Sequence, residues 1–444
     1  EITPALAESW IRSKNGLTYT FRLRKDAKWT DGVPLKAEDF VYSWRRLLDP
    51  KTAASYAYLL FDISGAEGFN RGTSTDPASV GVRALDDQTL EVKLARPTAH
   101  WLHIPTFWVT YPMRRDVVEK HGSSWDQPGK IITIGPFTLA AREPDQKIVM
   151  KSYEGYYKKR RGNISEAVGL IIKEDSTALG LYETGKLDFM TDIPPMEISR
   201  LSSSPDYRVF PYLKTVYLGF VIDRFPVDQL EARRAIAQAI DKSLFGKVLA
   251  GGQEAAPAWL PPSLILGGQQ AAYSPPFDQA KAKAAFASLT FEPDRPVNWE
   301  LVFLNAEKTM TAAQFIQAEL KKTLGIELKL QPYDNKTFRK QVDLKVAPMF
   351  LLSWSADYPD ADNFMSVFLK DSGNNRTNWS HRGFDERVLG ARSLSQPLAR
   401  GKLYAEASKF ILADDIVIVP LYHEPNLTLI RPRVRNFALD PLNY

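Results

Sequence analysis

The sequence predicts a mixed α/β protein, built as α/β or α+β lobes. Segments with the two-residue period of a half-buried strand and segments with the 3.6-residue period of a helix are interspersed along the whole chain. The 444 residues correspond to about three domains at roughly 150 residues each. With 44% hydrophobic and 25% charged residues, the composition excludes a disordered chain, a collagen-like repeat and a coiled coil.

The elements follow in order. Asn15-Gly16 marks a hairpin turn. After it, Tyr19, Phe21 and Leu23 alternate with Thr20, Arg22 and Arg24, as in a strand with one buried face. Trp29-Thr30-Asp31-Gly32 is a second turn. Phe40, Val41, Trp44, Leu47 and Leu48 then recur at helical spacing until Asp49-Pro50 stops the helix. Residues 85–90 turn into a strand over 91–94, which ends before Pro97. Residues 132–151 read as strand, turn and strand, with Glu143-Pro144-Asp145 at the bend. A short helix over 176–184 closes at Gly185, and a strand follows over 187–190. One long helix is expected over 231–248, with Ile236, Ile240 and Leu244 on one face. Gly251-Gly252, Pro261-Pro262 and Pro275-Pro276 break the chain into loops. Helices over 280–289 and 311–324 come next, the second capped by Gly325. Ile326, Leu328 and Leu330 continue as a strand, and a last helix over 399–412 leads into an apolar strand over 416–421.

Several function classes drop out on chemistry. The 57 Lys and Arg against 52 Asp and Glu give a net charge of +5. The two signs are mixed, whereas a nucleic-acid binder concentrates basic residues on one stripe. Lys158-Lys159-Arg160-Arg161, beside Tyr153, Tyr156 and Tyr157, is one dense cluster and reads as a solvated turn. There is no cysteine, which excludes disulfides, thiol catalysis and Cys-ligated zinc. The longest apolar runs, 349–354 and 416–421, fall well short of the about 20 residues of a membrane span. Residues 180–186 carry the glycine and lysine spacing of a phosphate loop, but Leu187 stands where Ser or Thr should hold magnesium, and a helix cap explains Gly185. His100, His103, His121, His381 and His423 form no HExxH pattern, and no GxSxG elbow is present.

The most informative segment runs from Ser353 to Asn363: Ser-Trp-Ser-Ala-Asp-Tyr-Pro-Asp-Ala-Asp-Asn. Its three acids, Asp357, Asp360 and Asp362, lack the central Gly and distant Glu of a calcium loop. Two readings stand: a hydrated acidic turn, or a carboxylate beside an aromatic wall. The second suits an ammonium-bearing ligand, with Asp as counter-charge and Trp354 as apolar, cation-attracting surface.

A wider pattern joins this segment to the rest. It comprises Ala7-Glu8-Ser9-Trp10, Tyr19-Thr20-Phe21-Arg22-Leu23-Arg24, Lys28-Trp29-Thr30-Asp31-Gly32-Val33-Pro34 and Asp39-Phe40-Val41-Tyr42-Ser43-Trp44. It continues with Gly135-Pro136-Phe137, Gly185-Lys186-Leu187-Asp188, residues 233–241, residues 353–358 and Pro420-Leu421-Tyr422. In this order, over nearly the whole chain, the sequence resembles the bacterial extracellular solute-binding family of peptide ABC importers, and the oligopeptide-binding proteins most.

The resemblance implies a two-lobed periplasmic-binding-protein fold with an extra small domain and a ligand cleft between the lobes. Residues 1–116 would be mainly the small domain, 117–212 with 425–444 the first lobe, and 213–424 the second. It implies a receptor, not an enzyme, that binds peptide and delivers it to ABC permease subunits in the inner membrane. No cofactor, no metal and no nucleic acid are implied. The protein would act as a monomer, periplasmic or extracellular, free or lipid-anchored. Alternatives are a receptor for another small solute (dipeptide, cell-wall peptide, nickel chelate or haem) or a hydrolase using an acid pair. Asp357 matches the family position that pairs with the peptide ammonium, and Trp354 the aromatic of that motif. Backbone groups of Ser353 and Ser355 would flank the peptide. Tyr212 and Tyr217 are cleft candidates or core tyrosines. Leu351, Ser355 and Asn335 stand where some oligopeptide binders carry Arg, Cys and Trp. The family also has a substantial segment ahead of the Ala7–Trp10 motif, so the natural mature protein is expected to be longer than a chain beginning at Glu1.

Overall fold

The computed structural model of the protein describes residues 2–159, 162–266 and 272–443. Arg160 and Arg161 of the basic cluster lie outside these described residues. Contacts divide the chain into two compact units, Glu1–Ile172 and Lys173–Tyr444.

In the first unit, β1 (Ala7–Arg12) and β2 (Thr18–Leu23) form the expected hairpin. Gly16 adopts φ +71°, the left-handed region that a side chain resists. β3 (Val82–Asp86) and β4 (Thr89–Lys93) complete an antiparallel sheet of order β1–β2–β4–β3. Tyr19, Phe21 and Leu23 are all buried, as the alternation requires. The helix Ala37–Leu48 buries Val41, Trp44 and Leu48, and Trp44 donates its indole N–H to the Thr110 carbonyl at 2.8 Å. Asp39 closes its first turn by accepting from the Lys36 backbone N–H at 2.9 Å.

A second antiparallel sheet holds β5 (Phe137–Glu143), β6 (Lys147–Ser152) and β7 (Glu166–Leu170) in that order. The strand expected from residue 132 begins only at Phe137. Thr133 is already engaged with the 29–32 turn, accepting from the Thr30 N–H at 2.9 Å and donating its own N–H to the Thr30 hydroxyl at 3.1 Å. β7 was not anticipated, because its short Glu-Ala-Val-Gly-Leu run has no buried alternation.

In the second unit, the helix Asp175–Glu183 contains Gly180, and Gly185 follows it at φ +79° with its N–H on the Tyr182 carbonyl. The phosphate-loop spacing is therefore a helix and its cap. β8 (Phe189–Thr191) and β9 (Tyr207–Phe210) flank β16 (Asn426–Ile430) in a three-stranded antiparallel sheet. The larger sheet contains β10 (Lys214–Phe220), β11 (Glu254–Ala255), β12 (Glu300–Leu304), β13 (Lys329–Tyr333), β14 (Met349–Ser355) and β15 (Ile418–His423). Its order is β11–β15–β10–β14–β12–β13. β12 is parallel to β13 and β14, and β10 is antiparallel to β14 and β15.

Both faces of this sheet are covered. Val216, Leu218, Phe220, Met349 and Leu351 pack with Ile236, Ile240, Phe245, Ile316 and Leu320 on one face. On the other, Tyr217 and Phe350 pack with Trp259, Phe364, Phe368, Tyr404 and Ile411. Arg233, buried beside the first core, is held by carbonyls alone, those of Asp415 and Val227 at 2.7 Å. Gly325 caps the helix Glu307–Leu324 at φ +70°. The strand read at 326–330 pairs from Lys329 to Tyr333, while Ile326 and Leu328 reach the core before the ladder starts. The last helix runs Pro397–Lys409 and ends in a wider turn, Phe410–Asp414.

The single long helix expected over 231–248 is broken. A helix runs Leu230–Ala239, Ile240 becomes extended (φ −98°, ψ 114°), and shorter turns follow at Lys242–Leu244 and Phe245–Val248. Asp241 explains the restart: its carboxylate accepts from the Ser243 N–H at 3.1 Å and hydroxyl at 2.6 Å. The break turns Lys242 inward, where its ammonium donates to the Ser274 hydroxyl at 2.8 Å. Burial lowers its pKa from 10.5 to about 8.

The chain crosses between the two sheets of this unit twice, from β9 to β10 and from β15 to β16. Glu424 lies in the second crossing, 4% exposed, with Lys214 Nζ at 2.7 Å and Lys308 Nζ at 2.6 Å. Burial alone would raise its pKa; the two ammonium groups outweigh burial and hold the carboxyl at about 2. The adjacent His423 has its Nδ1 3.0 Å from the Thr215 hydroxyl, and burial pushes its pKa down to about 4.

Two predictions follow from these groups. A lysine whose folded pKa is depressed costs most below about pH 8, and the cost fades as pH rises toward 10.5. Lys242→Met should therefore raise the unfolding free energy at pH 7 by about 3 kcal/mol or less, with the gain shrinking by pH 10; unchanged or lower stability in urea titrations at pH 7 contradicts this. In acid, stability should fall in two stages. His423, neutral when folded, withdraws stability as pH drops from 6.5 to about 4, and Glu424 withdraws its own from 4.5 down to about 2. Glu424→Gln should cost about 3–5 kcal/mol at pH 7 and flatten the lower limb in urea titrations across pH.

Candidate functional site

Of the residues singled out in the sequence, Tyr212, Ser353, Trp354, Ser355 and Asp357 lie toward one end of the strands of the six-stranded sheet, and Tyr217 does not. β12, β13 and β14 end there, β10 begins there, and β15 leaves there toward β16. In open α/β sheets the region beyond the carboxyl ends of parallel strands is the usual ligand crevice, because loops rather than ladders fill it.

On β14, successive side chains face opposite ways. Ser353 pairs with Val216 and Ser355 with Lys214. Ser355 donates its hydroxyl to the Tyr212 phenol oxygen at 3.0 Å, and Lys214 Nζ lies 5.5 Å from the Tyr212 ring centre. Tyr212 and Ser355, both half-buried, thus form one patch with the Lys214–Glu424 pair. Trp354 faces the other way, packed against the second core, and donates its indole N–H to Asn363 Oδ1 at 2.9 Å. The Ala356 N–H bonds the Leu213 carbonyl at 2.9 Å, which ties the motif loop to the first crossing.

The three acids separate by their partners. Asp360 makes two hydrogen bonds with Arg400, at 2.7 and 2.9 Å, and caps the helix Ala361–Met365 by accepting from the Asp362 N–H. Asp362, fully buried, meets Arg392 at 2.7 Å and the hydroxyls of Tyr358 and Tyr404 at 2.9 and 3.3 Å. Both act inside the fold. Asp357 is half-buried at the mouth of the loop, its N–H on Asn363 Oδ1 at 3.2 Å and its Oδ2 3.5 Å from Asn363 Nδ2. Among the described residues, no group of three or more His, Asp or Glu is placed to hold a metal.

Tyr217 is not brought to this edge. It is 1% exposed and makes edge-to-face contacts with Trp259, Phe350 and Phe368, and burial raises its phenol pKa. It occupies the core-tyrosine alternative of the sequence reading. Leu351 is likewise buried in the first core, and Asn335 is exposed at the start of the helix Asn335–Asp343. Sequence reasoning missed Lys214, Lys308 and Glu424, which come together from positions far apart in the chain with no local pattern. Lys308 also faces Asp192, 3.9 Å away, and Asp175, whose pKa rises to about 6 through burial, Asp192 and Glu307.

Near this end of the sheet, Thr215 and His423 form a hydroxyl–imidazole pair. Thr215 is fully buried and gives its only proton to the Trp259 carbonyl at 3.1 Å, so it accepts from His423 Nδ1.

A family model described as bacterial extracellular solute-binding proteins, family 5 Middle, matches residues 1–376. The periplasmic oligopeptide-binding protein of Salmonella typhimurium is 31% identical over 99% of this chain and 83% of its own length. A probable deoxycholate-binding periplasmic protein of Escherichia coli is 30% identical over 100% of this chain and 84% of its own. The crystal structure of Haemophilus influenzae OppA in complex with RPPGFSPFR matches with a TM-score of 0.89 at 27% identity, covering 100% of this chain and 89% of that one. With the fold, the motif order and the family match in agreement, the chain belongs to the bacterial extracellular solute-binding proteins of family 5.

Proposed function

We propose that this protein is the non-enzymatic receptor of an ABC importer and binds peptides at the crossover edge of the six-stranded sheet. Asp357 is the counter-ion of the peptide ammonium, Trp354 the apolar wall beside it, and Ser353 and Ser355 present backbone to the peptide. Tyr212 borders Ser355, on the side of β14 opposite Trp354. The observation that carries the reading is that Asn363 joins Asp357 to the Trp354 motif, its Oδ1 meeting the Trp354 indole N–H at 2.9 Å and the Asp357 backbone N–H at 3.2 Å. The peptide-bound relative and the oligopeptide-binding relative support it.

Residues 213–424 act as one lobe and 117–212 with 425–444 as another, with residues 1–116 as an added domain. The two crossings near Lys214 and Glu424 serve as the hinge, and ligand shifts an open–closed equilibrium about them. The protein works in the periplasm or outside the cell as a monomer and hands intact peptide to the permease subunits.

Native mass spectrometry on protein purified without refolding, then mixed with a peptide pool, tests the class of ligand. Bound, uncleaved peptide supports the receptor. Cleaved peptide identifies a hydrolase, and retention of deoxycholate with no peptide points to the other kind of relative. At the residue level, Asp357→Asn should weaken binding of free peptides by about 3–5 kcal/mol and of N-acetylated peptides far less. Equal losses for both in calorimetry remove Asp357 from the ammonium role.

A further inference from the structure

Asn363 lies behind both residues assigned to the ammonium end of the ligand. It is 2% exposed on the short helix Ala361–Met365. Its Oδ1 meets the Trp354 indole nitrogen at 2.9 Å and the Asp357 backbone nitrogen at 3.2 Å. An indole N–H and a backbone N–H can only donate. Both must therefore face the amide oxygen, and the orientation of the amide follows from its neighbours. The NH2 group is then turned toward Asp357 Oδ2, 3.5 Å away. One side chain thus sets the indole plane, the backbone entering the loop and the side on which the carboxylate rests.

The support behind Asn363 is rigid. Its helix is capped by Asp360, which Arg400 grips with two hydrogen bonds. Asp362, next to Asn363, is held by Arg392, Tyr358 and Tyr404. Arg392 and Arg400 come from the helices Arg382–Ser393 and Pro397–Lys409. The buried acids of the motif therefore anchor the amide, and the amide orients the pair at the loop mouth.

We propose that Asn363 is the positioning residue for ammonium recognition, holding Trp354 and Asp357 in the mutual arrangement that a peptide N-terminus requires. The proposal rests on the reading of Asp357 as the ammonium partner. A positioning role differs from a merely structural one in what it changes: it alters discrimination between free and N-acetylated peptides, not only stability.

The test measures calorimetric affinity for one free peptide and its N-acetylated form in the wild type, Asn363→Leu, Asp357→Asn and the double variant. Asn363→Ser, which keeps a small polar group and leaves room for water, replaces Asn363→Leu if that variant does not fold. Asn363→Leu should reduce free-peptide affinity by about tenfold or more, the range of a hydrogen bond to a charged group, and shift the acetylated form much less. In the Asp357→Asn background the same change should cost the free peptide little more, because the two residues act as a unit. Loss of discrimination in Asp357→Asn with full discrimination kept in folded Asn363→Leu or Asn363→Ser overturns the Asn363 proposal and leaves the Asp357 reading standing. Full discrimination in Asp357→Asn overturns both.

Discussion

Glu424 lies where the chain leaves the six-stranded sheet for the last time, and the architecture of the second unit depends on how its charge is met. An ionised carboxylate this deeply buried is costly unless opposite charges and hydrogen bonds surround it. Lys214 comes from the first strand after the other crossing, and Lys308 from the start of the helix Glu307–Leu324. The two crossings are therefore pinned to each other and to a helix of the large sheet. With one partner missing, the buried charge would be uncompensated and the crossings free to separate.

That pin also borders the proposed ligand site. Tyr212 and Ser355 adjoin Lys214, and the motif loop ties back to the same crossing through Ala356 and Leu213. The edge combines a rigid sheet end with chain segments that are not committed to a ladder. Solute receptors need both, a fixed frame for the constant parts of a ligand and a hinge to enclose it.

Within the motif, side-chain partners tie two of the acids to distant helices. Three carboxylates in six residues look equivalent in one dimension. In three dimensions two of them are consumed by arginines from helices some 30 to 40 residues downstream, and they fasten the loop to the second core. The third, Asp357, is half-buried in the same loop, with its backbone N–H on Asn363 Oδ1. A flexible acidic loop would have to lose conformational freedom on binding, and a preset one does not.

The local elements were legible from the sequence because short-range geometry dictates them. The Asn15-Gly16 hairpin, the 37–48 helix and its Asp49-Pro50 stop, the Gly185 and Gly325 caps and the alternation of Tyr19, Phe21 and Leu23 all follow from φ preferences and side-chain periodicity. The family and its solute-binding role were legible too, since motifs in a fixed order carry more information than any single one. The Asp357–Trp354 motif could be placed in the chain, but not the partners of Asp360 and Asp362, which come from helices 30 to 40 residues away. Tertiary structure decided the rest. The helix broke at Ile240 because Asp241 found a local hydroxyl and amide, a competition that periodicity cannot see. Tyr217 went to the core because the pairing of β10 chose its face, while Tyr212 lies in the crossing ahead of that strand. Lys214, Lys308 and Glu424 met only once the sheet had formed, since charge pairing acts over ångströms in space and leaves no period in the chain.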